Sequence, residues 1–421
     1  MSSSWIEWLG CLLVILAAVL PFGRFRSRVV LAFMSLVAAW LVGTAGALLI
    51  PALVGTAVLF GFSVLHPIWR RAGRAAAIGG ALLSLLLCIL FPPPRVPSLP
   101  GPHRIGTGTF ELACGGATTP LVVQVWYPAS PGAEGSPARW LSDEGLASTF
   151  LFHRLAQAPS RSIVGVPMLA QAAPFPVVFY EHSWMGNRLE NIVQVEDLAS
   201  RGFVVIAMDH PEQAARVRHS DHSITLGTLP GSPDFSSPES VAAFERTAAI
   251  CLTQREWELG QIRQSLDRGD VPMLAHRLRL DRLGVFGFSF GGTTALHLCA
   301  HEPAFHAGVN EDGFFLSDME PTGPFLFFDD DMPAWLLAPA TEGETPEQTL
   351  IRESDRRIQR SLVDPRHERH ILAGARHETF TDRLYLSPIP RLAKAGKLSV
   401  AEFRRQVTEP VGEFFMRELM R

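Results

Sequence analysis

The chemistry-bearing stretch of this 421-residue chain is Gly287-Phe288-Ser289-Phe290-Gly291. An apolar strand signal, Leu283 to Phe286, runs into it, and the helix formers Thr293 to Cys299 follow. Strand, sharp turn and helix with a serine at the apex push a hydroxyl out above a sheet edge. The turn is so tight that a side chain at either flanking position would meet neighbouring backbone, which calls for Gly287 and Gly291. The start of the following helix then faces any negative charge that develops on a bound carbonyl. The chemistry this suggests is nucleophilic attack by Ser289.

A serine hydroxyl needs a base to take its proton, and histidine is the usual one. With a strand–turn–helix serine the chain order is serine, acid, histidine, so the partners are sought downstream. His297 and His301 fall on the helix after Ser289, and His306 opens a strand. His367 and His370 sit in the charged run Asp364 to His370, which reads as solvated surface. His377 lies in the loop after the last strand signal, where a general base belongs. For the acid the residues leave two choices, Asp312 after one strand and the Asp329-Asp330-Asp331 loop after the next, and strand counting slightly favours the loop. An oxyanion needs two N–H donors. Phe290, directly after the serine, supplies one, and Trp184 in the loop His182-Ser183-Trp184-Met185-Gly186 supplies the other.

These groups need a sheet to hold them. Leu121 to Pro128 reads as an early strand that pairs antiparallel at the sheet edge. Phe175 to Glu181 and Phe203 to Met208 are near-continuous apolar runs, as strands buried on both faces are. Helical patterns cover Asn191 to Arg201, with Gly202 as a stop, and about Pro238 to Leu266. Strands are expected near His306 to Asn310, Pro324 to Phe328 and Arg369 to Ala373. This alternation calls for a mainly parallel, doubly wound α/β sheet.

Composition divides the chain. Residues 1–95 hold one acid (Glu7) and seven arginines, a net of +6, whereas residues 96–421 hold 30 basic and 40 acidic side chains, a net of −10. Pro92 to Pro94 and Pro97 to Pro102 form a stiff linker between them. Trp5 to Leu20 and Ala75 to Phe91 are apolar runs, and Val29 to Leu65 carries no charge. One helix over that middle stretch would be roughly 55 Å long, against a hydrocarbon core of about 30 Å. Gly43, Gly46 and Pro51 favour a break there, which gives four spans. Four spans also put the Arg24/Arg26/Arg28 and Arg70/Arg71/Arg74 clusters on one side, the cytoplasmic one by the positive-inside rule. The expected organisation is therefore a four-helix transmembrane region, 1–95, in the plasma (inner) membrane, and a globular domain, 96–421, outside the cytoplasm. Cys114, Cys251 and Cys299 form no metal or redox spacing, though one pair could close in an oxidising compartment.

The region from about Gly101 to Pro388 resembles the platelet-activating-factor acetylhydrolases and their bacterial relatives, serine esterases of the α/β-hydrolase fold. The likeness rests on Val125-Trp126-Tyr127-Pro128; on Pro176-Val177-Val178 with His182 and Leu198 to Val205; on Gly287 to Gly292; and on His377 with Phe380. It implies ester hydrolysis, on lipid-like or short-acyl phospholipid esters, with no metal, organic cofactor or nucleic-acid partner. It also implies that the acid follows the strand just after the nucleophile helix, and Asn310-Glu311-Asp312-Gly313-Phe314 matches that block. Phe288, Ser183 and the pair Pro211-Glu212 depart from the family's usual residues. A silent membrane-anchored binding protein, or a thioesterase or polyester hydrolase, would use the same sequence signals.

Overall fold

A computed structural model describes residues 49–63, 67–92, 94–115, 119–141, 158–170, 174–317, 319–340 and 343–420, with Leu9, Cys11, Leu12, Val14 and Ile15 before them. The expected span Trp5 to Leu20 lies mostly, and the Arg24/Arg26/Arg28 cluster wholly, outside the described residues. Two compact units emerge: Met1–Arg95 with Arg139–Ala158 and Tyr385–Ile389, and Val96–Ala138 with Pro159–Leu384 and Pro390–Arg421.

In the first unit, helices α1 (Ile50–Ser63) and α2 (Pro67–Leu90) pack through small residues. A Cβ at Gly55 would stand 2.5 Å from the Ala76 carbonyl oxygen, so the backbones approach closely. Ser84 Oγ accepts from the Ala52 N–H at 3.1 Å across this seam, a small-residue contact of the kind apolar surroundings favour. Leu82, Leu83, Leu86 and Ile89 face outward, each about half exposed. Among the described residues one stretch, Arg71–Leu90, is long and apolar enough to cross a membrane, with mean hydropathy 1.9. Because α2 starts at Pro67, the Arg70/Arg71/Arg74 cluster lies on its opening turns rather than in a loop ahead of it.

The second unit is built on one large sheet. In chain order the strands are β1 (Ile105–Leu112), β2 (Leu121–Pro128), β3 (Pro137–Arg139), β4 (Pro159–Val164), β5 (Phe175–Glu181), β6 (Val204–Asp209), a small hairpin of β7 (Arg216–Arg218) and β8 (Ile224–Leu226), then β9 (Leu278–Phe288), β10 (Phe305–Glu311), β11 (Phe325–Asp329) and β12 (His367–Ile371). All but the hairpin lie in one sheet, ordered β12-β11-β10-β9-β5-β6-β2-β1-β4-β3. From β12 through β6 every pairing is parallel. Every residue of β5 and β6 is buried, which is why both read as continuous apolar runs.

Two expectations need correction. β2 does run antiparallel to β6, but it pairs with β1 on its other side and is therefore not an edge strand. Its burial at every position already suggests cover on both flanks. The charged run ending at His370 is only partly solvated surface: Arg366 and Glu368 are exposed, but from His367 onward it forms edge strand β12. There His367 is buried and bonds Ser361 and the Gly323 carbonyl, while His370 stacks on Phe328. Charge at an edge strand discourages a further strand from adding, so the composition misled while the strand pattern was present.

The longer helices of this unit include the three expected, after β5, from Pro238 and after Ser289, and two that were not expected. They are α3 (Ile192–Ser200), α4 (Pro238–Arg268), α5 (Phe290–His301), α6 (Pro346–Ser361) and α7 (Glu409–Leu419). α4 is opened by the Ser237 side chain, which accepts from the Ser240 N–H, with Pro238 in the first turn, and Gly269 closes it in the left-handed conformation. Cys114, Cys251 and Cys299 are buried thiols and none is in a disulfide. Parallel strands send their carboxyl ends to one edge, where ligands bind in such sheets. Glu181, Asp209, Ser289, Asp312 and Asp329 end or follow strands at that edge.

Candidate active site

Ser289 sits between β9 and α5 with φ 56° and ψ −120°, a region that non-glycine residues avoid at a cost of about 1–3 kcal/mol. The surroundings hold it there. Its N–H donates to the Glu311 carbonyl at 2.8 Å. A Cβ at Gly287 would stand 2.4 Å from Gly291 backbone, and one at Gly291 only 2.0 Å from the Glu181 carbonyl oxygen. Both glycines are thus demanded by close backbone approach.

His377 follows β12 at the head of a short 3₁₀ turn, His377–Phe380. Its Nε2 lies 3.0 Å from Ser289 Oγ, and its Nδ1 lies 2.5 Å from Asp312 Oδ2. Burial works against a charged imidazole here, but the hydrogen bond and charge of Asp312 outweigh it, and the His377 pKa is raised. The ring keeps about half its surface open to solvent (48%) and packs on Phe288 at 4.6 Å between centroids.

Asp312 follows β10 at φ 60°. Its N–H donates to the Phe328 carbonyl at 2.8 Å, and its Oδ1 accepts from the Asp330 N–H at 3.1 Å. The Asn310 side chain clasps Gly313 in both directions, at 2.7 and 2.9 Å, and fixes the loop. The triple-aspartate loop is occupied otherwise. Arg369 bonds Asp329 and Asp355 together. Asp330 supplies its backbone to Asp312, and burial with the Asp312 charge raises its own pKa. The structure therefore brings Ser289, His377 and Asp312 together and leaves Asp329 on an arginine.

Phe290 opens α5, and an N–H in a helix's first turn has no intrahelical acceptor. The loop after β5 is held by Glu190, which accepts from the Ser183 N–H at 2.9 Å and its hydroxyl at 2.7 Å. Burial pushes the Glu190 pKa up to about 7 against those bonds. The Trp184 indole donates to the Pro230 carbonyl at 2.8 Å and packs edge-on against Phe290 at 5.3 Å. Trp184 and Phe290 line a cavity of about 1610 Å³ together with Ser289, Asp312, His377 and an aromatic patch of Phe235, Phe244 and Phe314. Small-molecule sites usually span about 300–1,000 Å³, so this cleft has room for a bulky or extended ligand.

Sequence reasoning passed over what lies beneath. His182, Asp209 and His210 end or follow strands β5 and β6, and all three are fully buried in polar networks. Asp209 pairs with Arg188. His210 bridges Glu181 at 2.8 Å and Glu258 at 2.5 Å, and Arg255 joins them without any exposed surface. The sequence marks only Glu181, Asp209 and His210, which close apolar strand runs, whereas Arg255 and Glu258 sit among other charged residues of α4. Among the described residues no group of three His, Cys, Asp or Glu side chains is arranged to hold a metal ion.

Comparison with known proteins fits this architecture. Residues 163–322 match the dienelactone hydrolase family, a stretch that contains Ser289 and Asp312 but not His377. A ferulic acid esterase from Streptomyces cinnamoneus superposes with a TM-score of 0.59 at 24% identity, over 78% of this chain and 94% of that one. The fold is that of an α/β-hydrolase. The chain is also 22% identical to the platelet-activating factor acetylhydrolase of Cavia porcellus over 361 residues, covering 77% of this chain and 79% of that protein. It is 27% identical over 151 residues to a probable 1-alkyl-2-acetylglycerophosphocholine esterase of Arthroderma benhamiae, 35% of this chain and 34% of that one. In keeping with that fold, the strand–turn–helix serine and the ends of the parallel strands share one sheet edge.

Proposed function

We propose that this chain is a serine hydrolase that cleaves carboxylic esters through an acyl-enzyme. The observation that carries the reading is the imidazole of His377, with Nε2 3.0 Å from Ser289 Oγ and Nδ1 2.5 Å from the Asp312 carboxylate. In this reading Oγ attacks the ester carbonyl as Nε2 takes its proton. Asp312 holds the ring in the required tautomer and stabilises the imidazolium. The N–H groups of Phe290 and Trp184 receive the oxyanion, His377 returns the proton to the departing alcohol, and water repeats the cycle on the acyl-enzyme.

The substrate we propose is a lipid-like ester with a short acyl group. The acetylhydrolase relatives and the aromatic patch of a large cleft support that class. We further propose that residues 1–95 form a four-helix membrane region and deliver the catalytic domain to the extracytoplasmic face. The apolar Arg71–Leu90 stretch and its outward leucines support this.

A fluorophosphonate probe tests the reaction class. Modification of Ser289, located by peptide mass spectrometry and slowed by excess ester substrate present as a competitor, is the expected result. A protein that is folded yet unlabelled would favour a silent binding protein on this fold.

A further inference from the structure

Beneath the loops that carry Trp184 and Phe290 lies a charged residue the reaction itself does not use. Arg255, on α4, has no exposed surface. Its Nη1 donates to the His182 carbonyl at 2.9 Å and to Thr294 Oγ1 at 3.2 Å, its Nε donates to Gln213 Oε1 at 2.8 Å, and Glu181 Oε2 stands 3.5 Å away. Its guanidinium also lies 4.9 Å from the centroid of the Phe290 ring. A buried guanidinium is costly unless its donors are directed to partners, and here the partners belong to three segments: the end of β5 with its loop, the turn after β6 that carries Gln213, and the first turns of α5.

Two of these branches end next to a proposed oxyanion donor. The His210 N–H donates to His182 Nε2 at 3.3 Å, which leaves the ring proton on Nδ1, 2.7 Å from the Ser183 carbonyl oxygen. That carbonyl shares its planar peptide with the Trp184 N–H, and in a trans peptide the two point in opposite directions. Fixing one aims the other. On the second branch Thr294 Oγ1, which accepts from Arg255, donates to the Phe290 carbonyl at 2.8 Å. Phe290 is thus gripped at its carbonyl and at its ring face.

We infer that Arg255, through His182 and Thr294, is a positioning residue that aims the Trp184 and Phe290 N–H groups at the tetrahedral oxyanion. The inference rests on the serine-esterase reading and adds a residue to it. Arg255 touches no substrate; it sets the direction of two donors at once, and misplacement by about 1 Å can cost about 100-fold in rate.

The test is steady-state turnover of a short nitrophenyl ester by the full chain, with kcat expressed per fluorophosphonate-titrated site so that unfolded protein does not count. Arg255→Met is expected to lower kcat about 100-fold with KM within about threefold. Its affinity for phenylboronic acid, which forms a tetrahedral adduct on serine, should fall in parallel. Thr294→Val keeps shape but removes the hydroxyl relay; it is expected to lower kcat about tenfold, and Thr294→Ser should restore it. If Arg255→Met does not fold, the Thr294 pair decides. A kcat per titrated site within twofold of wild type in the folded variants, or a loss confined to KM, would overturn the inference. Ser289→Ala, run alongside, separates the two ideas. If it stays active the serine reading falls first, whereas an inactive Ser289→Ala beside a fully active Arg255→Met removes the positioning role alone.

Discussion

The ring of Phe288 lies 4.6 Å from the imidazole of His377, centroid to centroid, and is almost wholly buried. The residue just before the proposed nucleophile thus forms the wall on which the proposed base rests. Phe288→Ala should let the imidazole leave its line with Ser289 Oγ and also open a cavity beneath it. We expect a stability loss of about 3 kcal/mol and a fall in kcat, read by denaturant unfolding and steady-state kinetics. Unchanged kcat at reduced stability would make Phe288 a packing residue only.

The two candidate acids are separable by their contacts. Asp312→Asn removes the group on His377 Nδ1 and should lower kcat by about 10³–10⁴-fold. Asp330→Asn keeps the backbone N–H that Asp312 accepts from, so its kcat should stay within about threefold. Reversed sensitivities would place the acid in the Asp329 to Asp331 loop.

Activity should depend on pH with a definite sign. A protonated His377 cannot accept the Ser289 proton, so kcat/KM is low in acid and rises as pH passes the pKa of the imidazole. Burial lowers that pKa and Asp312 raises it more, so the net value lies above the ordinary 6.5. The acid limb is expected above pH 6.5 and should move to lower pH in Asp312→Asn. A wild-type limb below 6.5 would contradict the arrangement.

The elbow should tolerate no side chain at Gly291. The Glu181 carbonyl, 2.0 Å from the Cβ that alanine would add, is backbone and cannot rotate away. Gly291→Ala should cost about 4 kcal/mol or more, seen as loss of soluble folded protein. Normal yield and melting temperature would show that the turn can relax.

The membrane proposal is tested by fusing a reporter that works only outside the cytoplasm after Arg95. Activity is expected in that format, and activity confined to a cytoplasmic reporter would reverse the orientation.

What was legible in the sequence was local. Gly287 to Gly291 combine strand, turn and helix signals within a dozen positions, and the buried runs at β5 and β6 show in their apolar continuity. The choice between Asp312 and the Asp329 loop was not legible from the residues alone. It turns on the left-handed backbone at Asp312 and on its N–H bond to Phe328, neither of which residue spacing encodes. The Glu181–His210–Glu258–Arg255 cluster was hidden for a related reason. Its members come from β5, the end of β6 and the middle of α4, and only tertiary packing brings them into one buried network. His367 and His370 show the converse, since an edge strand tolerates a composition that otherwise marks exposed loops.

The most direct measurement is the hydrolysis of short nitrophenyl esters by the Ser289→Ala chain. A serine acting with His377 and Asp312 requires turnover to drop by several orders of magnitude, to the level supported by the remaining binding groups alone. Turnover close to wild type in a folded Ser289→Ala protein would contradict it, because the hydroxyl 3.0 Å from His377 Nε2 would then take no part in ester cleavage.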